Sequence, residues 1–67
     1  MTDSTRVEWR EHRDDELHFV IAEKESGVWS FFTRSSWELC WYPLLATDAR
    51  IQRAESMLVQ VAARVAA

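Results

Sequence analysis

Four side chains with metal-ligand chemistry follow one another at every second position: His12, Asp14, Glu16 and His18. Imidazole nitrogens beside carboxylate oxygens suit zinc or a harder transition metal. The spacing lacks the tight pairing of a metal motif, and a turn at this place would scatter the four groups. The plainer reading is a charged, solvated hairpin tip, so no metal and no cofactor is expected.

Nucleophilic chemistry has one thiol to draw on, Cys40, with His18 as an imaginable imidazole partner. A lone cysteine more commonly serves as a small buried hydrophobe. Ser35 and Ser36 sit together in a turn with no evident base, and Glu8 and Glu38 are better placed to pair with Arg10 and Arg34 than with each other. A domain of 67 residues has little room for a closed pocket. No catalytic residue is assigned, and the chain is not expected to be an enzyme.

A third chemistry is recognition. Arg6, Arg10, Lys24 and Arg34 could hold phosphates while Phe32 and Tyr42 stack on bases, as sheet platforms do. Glu8 and Glu38 share the parity of those residues and would repel a phosphate, and neither RNP sequence is present. The net charge of −3 also lacks the basic surplus that displaces counterions from nucleic acid. Arg10, Arg34, Phe32 and Tyr42 therefore define an alternative nucleic-acid surface rather than the leading one.

Positioning these groups falls to strands. From Arg6 to Pro43 apolar residues recur at every second position: Val7, Trp9, Leu17, Phe19, Ile21, Trp29, Phe31, Trp37, Leu39 and Trp41. Period two argues for half-buried antiparallel strands, placed at about 6–12, 17–24, 28–34 and 37–42. Turns are expected at Arg13–Glu16, at Lys24–Gly27 and at Arg34–Ser36. The apolar set stays odd-numbered across all three, so a meander that preserves parity puts it on one face, with Trp9, Trp29, Trp37, Trp41, Phe19 and Phe31 together. The even face would then carry Val20, Phe32, Cys40 and Tyr42, rimmed by Arg10, Arg34, Glu8, Glu38 and His18. Pro43 should end the sheet, because it cannot donate to a ladder.

Beyond the proline, Ile51, Ala54, Leu58, Val61 and Val65 are spaced three and four apart and predict a helix from about Ala49 to Val65, within a helical region 47–66. Thr47 or Asp48 suits the N-cap. The fold class is thus α+β: a four-stranded antiparallel meander, order 1-2-3-4, with one C-terminal helix on one face. It forms a single domain, with residues 1–5 expected to be frayed.

A chain this short buries only ~60% of its unfolded surface, and such domains are commonly supplemented by disulfides, metals or association. One cysteine excludes an internal disulfide and suits a reducing compartment. The second half of the helix is apolar nearly all round, more than a helix covering one sheet needs. The leading expectation is therefore a non-catalytic interaction protein, a homodimer or the partner of another protein. Val59, Ala63 and Ala66 are expected on a second helical face, with Phe32 and Tyr42 contributing from the sheet. An accessory subunit of a heteromeric assembly is the further alternative. Residues Met1–Arg13 hold no apolar signal core, and no run approaches a membrane span, so the expected location is the cytoplasm without a membrane partner.

Overall fold

Period-two patterning does produce strands. The structure, a computed structural model, describes the backbone of residues 4–66 and the side-chain surroundings of residues 5–62. Strands β1 (Ser4–Arg13), β2 (Glu16–Glu25), β3 (Val28–Ser35) and β4 (Tyr42–Leu44) form one antiparallel sheet in the order β1-β2-β3-β4, and helix α1 (Asp48–Ala66) follows and packs against it. The expected fold class is the observed one. Ser4 and Thr5, expected to be frayed, instead pair with Glu25 and Lys24 in the first ladder.

The faces differ from the expectation, and the reason lies in the turns. Asp14–Asp15 and Ser26–Gly27 are two-residue hairpin loops with positive φ at both positions, 51° and 60° in the first, 52° and 81° in the second. That is the type I′ signature, whose twist matches the flanking strands. A two-residue loop pairs residue i with residue i+3, so an odd residue faces an even one. Trp9 accordingly pairs with Val20, Val20 with Thr33, Ala22 with Phe31 and Phe31 with Leu44. Parity flips at every hairpin, and the apolar set does not stay odd.

The core therefore takes Val7 and Trp9 from β1, Val20 and Ala22 from β2, Trp29 and Phe31 from β3, and Ala54 from α1. Leu44, Ile51, Met57 and Leu58 close around them. Phe31 sits between the two indoles, edge-on to Trp9 and stacked with Trp29, each at 6.0 Å between centroids. Such pairs contribute ~0.5–1.5 kcal/mol each beyond the area they bury. Of the six aromatics expected on the helix-facing side, only Trp9, Trp29 and Phe31 are there. Phe19 and Trp41 lie on the other side of the sheet, and Trp37 stands 72% exposed in the loop before β4.

That loop is the second departure. Strand four was expected at 37–42, but Trp37, Leu39 and Cys40 belong to the irregular connection, and β4 runs Tyr42–Leu44 with Pro43 inside it. Proline is tolerated there because β4 is an edge strand, bonded on one side only.

Helix α1 is capped by Thr47, whose Oγ1 accepts from the Arg50 amide at 3.3 Å, with Asp48 in the first turn opposing the dipole. Its early turns are docked. Ala54 is fully buried, and Glu55 Oε1 accepts from Lys24 Nζ at 2.8 Å and from Trp29 Nε1 at 2.9 Å. From Val59 onward it presents Val59 and Val61 to solvent. Among the described residues no helix is long and apolar enough to cross a membrane.

Candidate interaction surface on the open sheet face

One helix covers one side of a sheet, so the side chains that alternate with the core residues are left on an open face. Cross-strand register fixes how they line up. Arg10 pairs with Phe19, and Phe19 with Arg34; Trp41, immediately before β4, stands next to Arg34. In the neighbouring row Glu8 pairs with Ile21, Ile21 with Phe32, and Phe32 with Pro43. Ile21 is only 7% exposed although it lies on the side of the sheet away from the core cluster.

The first row alternates cations with aromatic rings. The Arg34 guanidinium lies 4.7 Å from the Phe19 centroid and 5.3 Å from that of Trp41, while Arg10 lies 5.8 Å from Phe19 on the other side. Each such contact is worth ~0.5–1 kcal/mol at an exposed site. Arg34 is held further by its own loop, donating to the carbonyls of Glu38 at 2.7 Å and Ser35 at 3.3 Å. The Glu38 carboxylate accepts from the Ser35 amide at 2.9 Å, and this backbone bond holds it below the usual carboxylate range, helped by the Ser35 side chain. Together Glu8, Arg10, Phe19, Ile21, Arg34 and Trp41 line a shallow hollow of about 390 Å³.

Arg10 makes no ion pair among the described residues, and Glu8, the neighbouring carboxylate on the same face of β1, is taken by Arg6 at 2.8 Å. The row therefore presents two guanidinium groups with donors to spare around an aromatic ring, a surface suited to carboxylates, phosphates or planar groups.

Of the residues singled out in the sequence, Arg10, Arg34 and Phe32 do share this face. Tyr42 does not: it pairs with Thr33 on the helix-facing side, where it is half-exposed. Val20 and His18 also leave the expected even face, Val20 for the core and His18 for the row of Glu11 and Ser35. Val59 is 68% exposed on α1, whereas the Ala63 and Ala66 side chains lie outside the described residues.

The metal-type set is dispersed. His12 pairs with Leu17 on the open face, His18 with Glu11 on the other, and Asp14 and Asp15 form the turn between. Cys40 is exposed in the connection before β4 rather than buried. Ser35, expected to lack a base, has one: its Oγ lies 3.4 Å from His18 Nδ1, and His18 Nε2 lies 3.9 Å from Glu16. Ser35 is only 4% exposed, so a substrate carbonyl has no approach to that oxygen.

Sequence reasoning missed Glu11. Its carboxylate accepts from Trp9 Nε1 at 2.8 Å, Arg13 Nη1 at 2.6 Å and Arg50 Nη2 at 3.3 Å. Burial raises its pKa, but the bonds from Arg50, Trp9 and Arg13 together with the Arg50 charge outweigh that and lower it. The available signal was a polar residue continuing the Val7, Trp9 alternation. No family model matches this chain, and no curated protein and no solved structure matches it.

Proposed function

We propose that the chain is a non-catalytic protein-interaction module that works as a homodimer. The observation that carries this reading is where the uncovered apolar side chains fall. Scattered exposed hydrophobics are normal on a folded surface. Here Trp37, Leu39, Trp41, Tyr42 and Leu45 all stand exposed within one short segment, with Leu39 at 95%. Val59 and Val61 add a second exposed apolar stretch on α1. Large apolar side chains exposed this densely in one segment of chain support an association site, and a two-fold pair is its commonest closure. Tryptophan and arginine, both present here, are enriched where binding energy concentrates.

Sedimentation equilibrium across a wide concentration range tests this. A dimer persisting at low concentration is the expected result, and a monomer at every concentration overturns self-association.

The Arg10–Phe19–Arg34–Trp41 row favours one second reading, a module that holds single-stranded nucleic acid by stacking and phosphate contact. That reading predicts oligonucleotide binding that weakens with salt and with Arg10→Ala. Binding that is absent or indifferent to salt removes it.

A further inference from the structure

We infer that the open sheet face is the surface through which two copies pair, sheet against sheet, with the basic end of one lying over the acidic end of the other. This rests on the homodimer reading above and names its interface. Charge and apolar surface are distributed unevenly along this one face. At one end stand Arg10 and Arg34, flanking Phe19. In the middle stand Phe32, half-buried, and Pro43, which pairs with it and is exposed, beside Ile21, which its own chain already buries to 7% exposure. Toward the other end Arg6 and Glu8 neutralise each other at 2.8 Å, which leaves Glu23 and Glu25 exposed. Neither has a cation partner among the described residues; Lys24 between them points to the opposite face and is taken by Glu55.

The Arg10 and Glu23 rows are four residues apart along β2, ~14 Å at strand rise. A face with an apolar centre and opposite charges at its two ends is complementary to itself. A two-fold axis running across the strands sets each basic end against an acidic one. Packed sheets of this kind sit ~10 Å apart with interdigitated side chains, and their strands align within ~30°. A second copy is thus the occupant that matches both charge signs at once. A polyanion would match the arginines and be repelled by Glu23 and Glu25.

Charge reversal with mixing tests the pairing. Arg10→Glu removes the positive balance of the basic end, leaving Arg34 opposed by a carboxylate, and Glu23→Arg removes the negative balance of the acidic end, leaving Glu25 opposed by a guanidinium; both positions are exposed, so the near-ultraviolet tryptophan spectrum should stay that of the wild type. Each variant alone should dimerise about tenfold or more weakly than wild type at low salt. An equimolar mixture should recover a heterodimer, and both substitutions placed in one chain should recover a homodimer. Dimers that ignore the single reversals, or a mixture and a doubly reversed chain that both stay monomeric, overturn the inference. Loss of dimer in Val59→Glu with the charge variants unaffected moves the interface to α1: the homodimer stands and the sheet-face assignment falls. A wild-type chain that is monomeric throughout removes both.

Discussion

Arg50 of α1 reaches Glu11 of β1 with two nitrogens, Nη2 to Oε1 at 3.3 Å and Nε to Oε2 at 3.4 Å. The same carboxylate holds the Trp9 indole and the Arg13 guanidinium, so the first edge strand, its core tryptophan and the helix start share one acceptor. Removing it leaves three donors in part-buried positions. Glu11→Ala should therefore destabilise the fold by about 2–3 kcal/mol, more than loss of an exposed ion pair at ~0.2–1 kcal/mol. Urea denaturation checks this, and a midpoint within error of wild type would show the hub to be ornamental.

Acid should weaken the fold, through named groups. Glu11, Glu38 and Glu55 all titrate below the usual carboxylate range in the folded chain. For Glu55 the leading cause is the Lys24 hydrogen bond, then that from Trp29; burial opposes them, and the Lys24 charge assists. A carboxylate lowered on folding releases its proton more readily in the native state, so its stabilisation is present above the unfolded pKa. It is lost as pH falls through the folded value. Thermal midpoints should hold steady near neutrality and drop once pH enters and passes below the ordinary carboxylate range. Glu11→Gln should start lower and fall less over that window. A slope as steep as wild type in that variant would assign the acid sensitivity to other groups.

Element identity was legible because period two and period 3.6 are written directly in the apolar spacing. The register was not. Whether a strand's odd or even residues enter the core depends on how many residues each turn spends, and Arg13–Glu16 reads equally well as a loop of two or of three. One residue moved Val20 from the surface to the core and Phe19 from the core to the open face. The candidate site suffered in proportion. Arg10, Phe32 and Arg34 stayed together because β1 and β3 are separated by two parity flips, which cancel; Tyr42 lies beyond a third. The segment Trp37–Trp41 misled for a different reason. Its alternation mimics a strand, but Arg34 and Glu38 tie its start into a turn.

Turn chemistry offers gains in stability as well as losses. Asp14, Asp15 and Ser26 all hold positive φ, a region that residues other than glycine enter at a penalty, smaller for asparagine and aspartate than for serine. Asp15→Gly should raise stability by ~0.5–1 kcal/mol, and Ser26→Asn, which completes an Asn-Gly pair, by a few tenths. Gly27 has φ of +81° and open space where a Cβ would sit. Gly27→Ala should thus cost about 1 kcal/mol from backbone strain alone. For a domain this size ~1 kcal/mol moves the thermal midpoint by ~4–8 °C, easily resolved by calorimetry. Equal midpoints for Asp15→Gly and wild type would mean that the aspartate already relieves its strain by local hydrogen bonding.

Arg34 joins the open face to the loop that carries the exposed tryptophans. Its guanidinium lies between Phe19 and Trp41 while donating to the Glu38 carbonyl at 2.7 Å. A lysine ammonium is a compact, strongly hydrated charge and cannot stack on both rings while keeping that bond. Arg34→Lys should cost about 1–2 kcal/mol through the lost stacking and the lost carbonyl bond. Arg10→Lys, which touches only Phe19 at 5.8 Å, should cost ~0.5 kcal/mol or less. The discriminating readout is local. The Glu38 amide donates to the Ser35 carbonyl at 3.1 Å, and its hydrogen exchange should speed up in Arg34→Lys while exchange at Val20 and Phe31 keeps the rank it has in wild type. Trp41→Ala combined with Arg34→Lys should lose less than the two changes summed, because both break one contact. Strict additivity would mean that Trp41 is placed by β4 alone and that the arginine merely passes beside it.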